Sequence, residues 1–296
     1  MGTDYTILDP RRMRFAAFAA RTTRINPSAS VNDPLTARTR SVWSAGDYDR
    51  IAAGFRHEAE AFVGRLELTP DQFVLDAACG SGNLTIPAAR TGAQVTGFDL
   101  VPALLDAAGK WATREKVSIG LDQGTVEELP YADGQFDVVM SMFGVMFAAR
   151  PERVVSELTR VTRAGGRVAL ANWTPQGFVG RLLATHVAYV PPPPGLSSPL
   201  LWGDESTIRE RFNERDWRVT TTLRTLTFRY PYAPADTASL FRAAYGPTVR
   251  AFEALTENSR RLLEADLIDH WVRHQRPKSG TTEVDSEYLE IIATRL

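Results

Sequence analysis

The sequence predicts an α/β fold in which a mostly parallel β-sheet carries helices on both faces. Between Phe73 and Trp173, short β-rich runs alternate with helical runs, which is the pattern of parallel strands joined by crossover helices. The stretch "VLDAACGSGN" at 74–83 places two glycines directly after an apolar strand, as in a strand–turn–helix unit. These two observations predict the fold class, and the remaining elements are placed around them.

The composition fits one large domain, or a core domain that carries an elaborated second lobe. The chain has 296 residues, of which 44% are hydrophobic, enough to bury a sizeable core. Its 34 basic and 35 acidic residues nearly cancel, so neither a nucleic-acid footprint nor a basic membrane-binding face is expected. The longest apolar run, 138–149, is shorter than the roughly 20 residues of a membrane span. The single cysteine, Cys79, and the lack of a secretory signal favour the reducing cytoplasm.

Two helical segments are predicted ahead of the first strand. Residues 1–42 are arginine-rich and contain a small apolar stripe that indicates one side of a short helix. Residues 43–66 are predicted to be helical after a turn at Gly46. The apolar stripes that indicate these helices are Phe15, Phe18 and Ala19 in the first segment and Ile51, Phe55, Ala59 and Phe62 in the second.

The next segment is predicted to alternate strands with helices. Strands are expected at 73–78, 94–100, 116–123, 136–142 and 166–173. Helices are expected at 83–90, 102–113 and 151–162.

The back of the chain is less regular. Four consecutive prolines make 190–199 an extended connector. Threonine alternates with larger residues at 217–230, which predicts a long strand. Residues 235–275 are predicted to be helical, and the strand-like run 287–296 closes the chain.

The glycine loop and Asp99 indicate a ligand at the ends of the first two strands. Glycines allow the backbone to approach a ligand closely, and an acidic residue ending the second strand can accept hydrogen bonds from two ribose hydroxyls. A dinucleotide-binding turn would carry a third glycine where this chain has Thr85, so a nucleoside without a pyrophosphate fits better. A generic tight turn beside a surface aspartate is the alternative reading.

Four motifs resemble class I S-adenosylmethionine-dependent methyltransferases, in the branch that includes the ubiquinone/menaquinone-type (type 11) small-molecule enzymes. They are "VLDAACGSGNLT", "VTGFDL", "GTVEELPYADGQFDVVMSMFG" and "RVTRAGGRVALANW", in the family's order and spacing. The resemblance covers roughly 43–175. It implies a Rossmann-like sheet of seven strands, mostly parallel with an antiparallel last strand, and an inserted helical acceptor lobe. Its domains would be an N-terminal helical extension at 1–42, a cofactor-binding core at 43–175, and sheet completion with acceptor-binding insertions at 176–296.

The resemblance also implies a cofactor, S-adenosyl-L-methionine, and the residues that hold it. By this resemblance the methionine end is held by the loop from Asp76 through Ala78, Cys79 and Gly80, and Ser141 and Met142 lie against the methionyl part. Asp99 holds the ribose, and Leu100, Thr125 and Val126 lie beside the adenine. Tyr48 closes over the cofactor. The family usually has an acidic residue where this chain has Thr125. Glu127 follows the adenine positions and is equally explained as a helix-start residue.

The residues that would handle the methyl acceptor are less constrained. His186 follows the fifth strand and is a candidate general base, and Tyr245 is a candidate for the acceptor pocket. An ordinary polar role is the favoured alternative for His186. The insertions at 175–215 and 231–280 are expected to cover the pocket, with Phe241 and Phe252 among its apolar residues. His270 and His274 share a helix face but have no third ligand, so a solvated face is expected there and not a metal site.

The predicted function is methyl transfer to an O, N or C atom of a small, apolar or aromatic metabolite. Cys79 is expected to be a small residue in the cofactor loop and not a nucleophile, because no partner base lies beside it. The N-terminal segment is expected to pack over the acceptor opening or to join a second copy of the chain. A non-catalytic cofactor-binding protein and a nicotinamide-dependent oxidoreductase are the alternatives.

Overall fold

The structure is a computed structural model that describes residues 33–276 and 280–296. Within these residues, seven strands form one sheet in the order β3-β2-β1-β4-β5-β7-β6. The strands are β1 Phe73–Ala77, β2 Gln94–Asp99, β3 Gly120–Gln123, β4 Phe136–Met142, β5 Thr162–Trp173, β6 Trp217–Tyr230 and β7 Thr282–Arg295. Strands β1 to β5 pair in parallel, and β7 is antiparallel to both β5 and β6. The predicted fold class is therefore confirmed.

Within the described residues, helices lie between most of the successive strands along the chain. They are α1 Pro34–Trp43, α2 Tyr48–Ala52, α3 Arg56–Arg65, α4 Thr85–Arg90, α5 Pro102–Glu115, α6 Pro151–Val161, α7 Phe178–Tyr189, α8 Glu205–Arg211, α9 Pro234–Ala244, α10 Gly246–Ala254 and α11 Glu257–His274. Short 3₁₀ turns occur at Ala53–Phe55, Val145–Phe147 and Pro199–Gly203. The helix expected around Phe15 lies outside the described residues.

The predicted helix at 43–66 is broken into α2, a 3₁₀ turn and α3. Gly46 has a left-handed φ of 80°, which separates α1 from α2. At Gly54 the ring of Tyr230 occupies the place of a side chain, and the Tyr230 hydroxyl donates to the Ile51 carbonyl oxygen at 2.8 Å. The contact with Tyr230 of β6 therefore determines where the helix is interrupted, although the apolar residues of 43–66 keep helical spacing across the interruption.

One predicted strand is shorter in the structure. The run 116–123 was expected to be extended, but β3 begins at Gly120. Helix α5 continues to Glu115 and ends at Lys116, which has a left-handed φ of 57°. The three residues after Lys116 are used in leaving the helix, and only the last four of the predicted run pair with β2.

The back of the chain builds a helical lobe on a long antiparallel ribbon. Strands β6 and β7 pair over 14 residues each, and their ends at 225–230 and 282–287 extend past the end of β5. Helices α9, α10 and α11 pack on one another beside this ribbon, as the sequence predicts. None of the helices in the described part of the chain is long and apolar enough to cross a membrane.

Gly46 joins α1 to the rest of the molecule and is expected to tolerate no side chain. A Cβ at this position would overlap the Ala244 carbonyl group, and φ is left-handed. Gly46→Ala should lower the free energy of unfolding by about 1–3 kcal/mol. The matched control is Gly64→Ala, because Gly64 lies on a helix with open space around it, and that change should be neutral or stabilising by up to about 1 kcal/mol. Urea unfolding of the two variants measures the difference, and equal effects would contradict this account.

Candidate active site

A cavity lies at the carboxyl ends of β1, β2, β3 and β4, and its empty space, with the open solvent at its mouth included, is about 940 Å³. Its floor is formed by the loops that follow these strands, and α1 and α2 contribute to its walls. Ligands of open α/β sheets bind in this place, because successive loops diverge there and leave backbone groups free. The cavity is therefore the candidate active site.

The loops after β1 and β4 have a left-handed backbone where they meet. Ala78, Gly80 and Gly82 have φ of 58°, 55° and 96°, and Phe143 has φ of 58°. A Cβ on Gly144 would lie 2.6 Å from both Cβ and the carbonyl oxygen of Ala78. The two loops thus touch through backbone that only glycine allows at position 144. Non-glycine residues such as Ala78 and Phe143 adopt this conformation rarely, and residues in rare backbone conformations cluster at functional sites.

The Asp99 carboxylate connects the loops that follow β1 and β2. One oxygen accepts from the Gly80 backbone N–H at 2.8 Å, and the other accepts from the Val101 N–H at 2.9 Å. Asp99 is buried, and this burial raises the pKa of its carboxyl group, while the backbone donors oppose that shift. The carboxylate also lines the cavity, so it can accept further hydrogen bonds from a ligand.

A second buried carboxyl group, that of Asp76, lies in the same wall. The Thr85 hydroxyl donates to it at 2.5 Å, so the residue that replaces the third glycine of a dinucleotide turn supports the end of β1. Burial raises the pKa of Asp76 to about 7, against this hydrogen bond, and the negative charge of Asp99 adds to the rise. The two carboxyl groups make this wall rich in hydrogen-bond acceptors.

Cys79 lies buried between these two carboxyl groups. Its thiol is 3.6 Å from the Gly80 carbonyl oxygen, and burial raises the pKa of the thiol well above its ordinary value. A nucleophilic cysteine needs the opposite shift, since the thiolate is the reactive form. The environment of Cys79 thus supports the prediction that it is a small residue of the loop.

Helix α1 covers one side of the cavity with Thr36, Thr39 and Trp43. The Trp43 ring packs edge-on against Tyr48 and Phe147, with centroids 5.3 and 4.8 Å apart. Phe55, Phe143 and Ala148 continue the apolar surface. This side of the cavity therefore differs chemically from the wall that holds Asp76 and Asp99.

Polar contacts fasten α1 at both of its ends. Asp33 caps the helix by accepting from the backbone N–H groups of Leu35 and Thr36, and it pairs with Arg150 at 2.8 Å. Arg150 also pairs at 2.7 Å with Glu127, whose side chain lines the cavity. At the other end the guanidinium group of Arg250 donates to the Ser41 carbonyl oxygen at 3.0 and 3.2 Å. The core of the fold holds the start of α1, and the helical lobe holds its end.

The structure brings most of the predicted cofactor residues together. The residues that line the cavity are Tyr48, Asp76, Ala78, Cys79, Gly80, Asp99, Leu100, Thr125, Val126, Glu127 and Met142. Ser141 is buried outside the lining, where its hydroxyl oxygen accepts from the Val145 N–H at 3.3 Å and supports the loop after β4.

The sequence analysis expected the segment 1–42 to pack over the acceptor opening, and α1 does line the cavity, but it did not identify Trp43 or 143–148 as part of this wall. Trp43 was included only as the first residue of a predicted helix, and Phe147 follows a strand without a recognisable motif. The one available signal was the density of aromatic residues close to Tyr48 and to the end of β4. Aromatic residues are equally dense in ordinary cores, so this signal does not identify a cavity wall unless the contacts between α1 and the loop after β4 are known.

The predicted role of His186 does not fit the structure. Its side chain is buried in α7, with Nδ1 2.7 Å from the Leu182 carbonyl oxygen and Nε2 2.8 Å from the Thr248 hydroxyl. Burial lowers the pKa of His186 to about 4. Both nitrogens are engaged within the fold, and His186 does not line the cavity. It ties α7 to α10 and is not placed to act as a base.

Tyr245 and the aromatic residues of the lobe also lie behind the cavity. The Tyr245 ring is buried against Trp43, with centroids 5.9 Å apart, so Trp43 stands between it and the cavity. Phe241 packs against Trp271, and Phe252 lies beneath the Arg242 guanidinium group. The expectation that 175–215 and 231–280 cover the pocket is corrected, because none of their described residues lines the cavity, and α10 packs on α1 from outside.

The solvated face expected at His270 and His274 is wrong for His270, which is buried, and both residues interact with backbone and with Phe178. Nε2 of His270 lies 3.0 Å from the Phe178 carbonyl oxygen, and Nδ1 of His274 lies 2.8 Å from the His270 carbonyl oxygen. The His270 ring also stacks on Phe178. Among the described residues no group of three or more His, Cys, Asp or Glu side chains is arranged to hold a metal ion.

Comparisons with known proteins match the core of this chain to methyltransferases. The profile of the Methyltransferase domain matches residues 75–170. An uncharacterised protein of Mycobacterium tuberculosis is 36% identical over 238 residues, 78% of this chain and 85% of that protein. The demethylmenaquinone methyltransferase of Deinococcus radiodurans is 36% identical over 121 residues, 38% of this chain and 50% of that enzyme. The crystal structure of the YcgJ protein of Bacillus subtilis shares the fold, with a TM-score of 0.56 at 16% identity, covering 80% of this chain and 98% of that one.

Replacement of His186 is expected to change the pH dependence of stability. Its pKa is about 4 in the folded state, below the ordinary value of about 6.5, so the unfolded chain binds the extra proton first as pH falls. The wild type should therefore lose about 2 kcal/mol between pH 6.5 and pH 5 that a His186→Gln variant does not lose. The variant should be less stable at neutral pH, and the difference should narrow towards pH 5. Urea unfolding at both pH values measures it, and a constant difference would contradict a neutral buried imidazole.

Proposed function

Because this chain belongs to the class I S-adenosylmethionine-dependent methyltransferases, we propose that it methylates an O, N or C atom of a small acceptor whose skeleton is apolar or aromatic. The observation that carries the proposal is the two-sided cavity. One wall holds buried carboxyl groups and glycine backbone, and the other consists largely of aromatic rings. The first suits the cofactor, and the second suits the acceptor.

The residues present fit S-adenosylmethionine. A Cβ at Gly80 would project towards the Tyr48 ring, 3.8 Å away, and would fill space between loop and ring. The Ser81 hydroxyl and the Asn83 amide oxygen are buried in the cavity lining without hydrogen-bond partners. Among the described lining residues there are three carboxyl side chains and no lysine, arginine or histidine. Such a wall favours a ligand that carries positive charge and several donors.

Within this arrangement, each part of the lining has a distinct task. Asp99 would hold the ribose, Leu100, Thr125 and Val126 would enclose the adenine, and the loop Asp76–Gly82 would hold the methionine end. The bound cofactor supplies an electrophilic methyl group on a sulfonium centre. Tyr48 would close over it from α2. Asp76 and Asp99 would keep the negative potential of this wall directed at the positively charged end of the ligand.

The aromatic wall would bind and align the acceptor. Trp43 faces the cavity from α1, and Phe147 faces it from the 3₁₀ turn after β4. Thr36 and Thr39 of α1 add polar side chains to this wall. Methyl transfer depends mainly on in-line alignment of the two reactants and on exclusion of water. Rigid rings that pack on one another supply both. The cytoplasmic location and self-association through residues 1–42 stay predictions, since 1–32 lie outside the described residues.

Asp99→Ala is expected to weaken S-adenosylhomocysteine binding at least about 100-fold. The ribose hydroxyls lose a charged acceptor, and each hydrogen bond to a charged group is worth about 1.5–3 kcal/mol. Gly80 also loses the acceptor of its N–H. The matched control in the same loop is Cys79→Ala, which should keep the affinity within about threefold. Titration calorimetry decides, and equal affinities of wild type and Asp99→Ala would contradict the ribose assignment.

Trp43→Ala is expected to impair methyl transfer about 100-fold while S-adenosylhomocysteine affinity falls less than tenfold, because alignment of the acceptor is lost. The assay is transfer of label from S-adenosylmethionine to a panel of neutral aromatic and alicyclic metabolites. Phe252→Leu is the control, because Phe252 was expected to line the pocket and does not. Tight cofactor binding without transfer to any panel member would contradict the proposed acceptor class. Equal losses in both variants would contradict the aromatic wall.

A further inference from the structure

Asn83 lies where the glycine loop meets α2. Its amide nitrogen donates to the Ala52 carbonyl oxygen at 3.2 Å. Ala52 is the last residue of α2, and Tyr48 is the first, and both line the cavity. One side chain therefore links the loop to the helix that carries Tyr48.

The other half of the Asn83 amide points to a missing partner. Its oxygen is buried and accepts no hydrogen bond, although Asn83 lines the cavity. The orientation of the amide is determined by Ala52, because only the nitrogen can donate to a carbonyl oxygen. A buried acceptor without a donor is costly, so a ligand that brings a donor is favoured at this point.

The cofactor offers three kinds of donor: its α-ammonium group, its ribose hydroxyls and its adenine amino group. Asp99 lies at the end of β2, and Thr125 and Val126 follow β3, so the ribose and adenine are provided for elsewhere in the cavity. Asn83 directly follows the loop Asp76–Gly82, which we assign to the methionine end. The α-ammonium group is the donor that remains.

We propose that Asn83 is a positioning residue that couples the cofactor's α-ammonium group to α2. Its amide oxygen accepts from the ammonium group, and its amide nitrogen holds the Ala52 carbonyl oxygen. Occupation of the methionine end thereby orders α2 and places Tyr48. The proposal rests on the cofactor assignment above. It follows that a nucleoside without the amino-acid part binds without ordering α2.

The test compares two ligands on the full chain. Asn83→Ala should weaken S-adenosylhomocysteine binding about 10- to 100-fold, as expected for a hydrogen bond to a charged group. It should change the affinity for 5′-methylthioadenosine, which lacks the ammonium group, by less than about threefold. The control is Asn172→Ala, because Asn172 is a buried asparagine with an unpartnered amide that does not line the cavity. That change should leave the affinities for both ligands unaltered.

Hydrogen exchange of residues 48–55 tests the coupling. S-adenosylhomocysteine should protect these amides in the wild type, and 5′-methylthioadenosine should not. Asn83→Asp keeps an acceptor but loses the donor to Ala52, so it should bind S-adenosylhomocysteine within about threefold of wild type and lose the protection. This second variant also covers the case in which Asn83→Ala fails to fold.

The outcomes separate this proposal from the cofactor assignment. If wild type binds neither ligand, the cofactor assignment fails. If both ligands bind wild type and Asn83→Ala weakens them equally, Asn83 supports the loop and does not contact the ammonium group. If Asn83→Asp retains the protection of 48–55, the link to α2 is wrong.

Discussion

The Asp99 carboxylate is the interaction on which the site depends. A buried carboxylate needs donors, and Asp99 takes them from the Gly80 and Val101 N–H groups. Its backbone carbonyl oxygen in turn accepts from the Gly124 N–H at 3.0 Å, and the Phe98 carbonyl oxygen accepts from the Cys79 N–H at the same distance. The loops after β1, β2 and β3 are thus joined at one residue, which also presents its charge to the cavity.

The rest of the site is built outward from this junction. Asp99 holds Gly80, and two positions earlier Ala78 has a left-handed backbone on which Gly144 packs directly. That contact brings the loop after β4 over the cavity, and Phe147 then meets Trp43 of α1. Tight backbone contacts therefore form the wall that we assign to the cofactor, whereas side-chain packing between distant segments forms the aromatic wall.

This difference explains which parts could be predicted from the sequence. The strands and the loop residues from Asp76 to Asp99 follow local patterns of apolar runs, glycines and acidic residues. The break between α2 and α3 depends on Tyr230, and the burial of His186 depends on Thr248, 62 positions away. Tyr245 was expected at the acceptor because it is aromatic and lies in an insertion, but Trp43 occupies the place in front of it. Such contacts between remote segments leave no periodic signal in the chain.

The helical lobe supports α1, so changes in the lobe can alter which acceptors this enzyme binds. Gly246 leaves no space between itself and the Val42 carbonyl group, and Arg250 holds the Ser41 carbonyl oxygen. A change of volume in α10 must therefore shift α1 as a unit, since well-packed elements transmit displacement. Substitutions that touch neither reactant would reshape the aromatic wall while the Asp99 junction stays in place. Selectivity for the acceptor can thus drift through the lobe, independently of the cofactor.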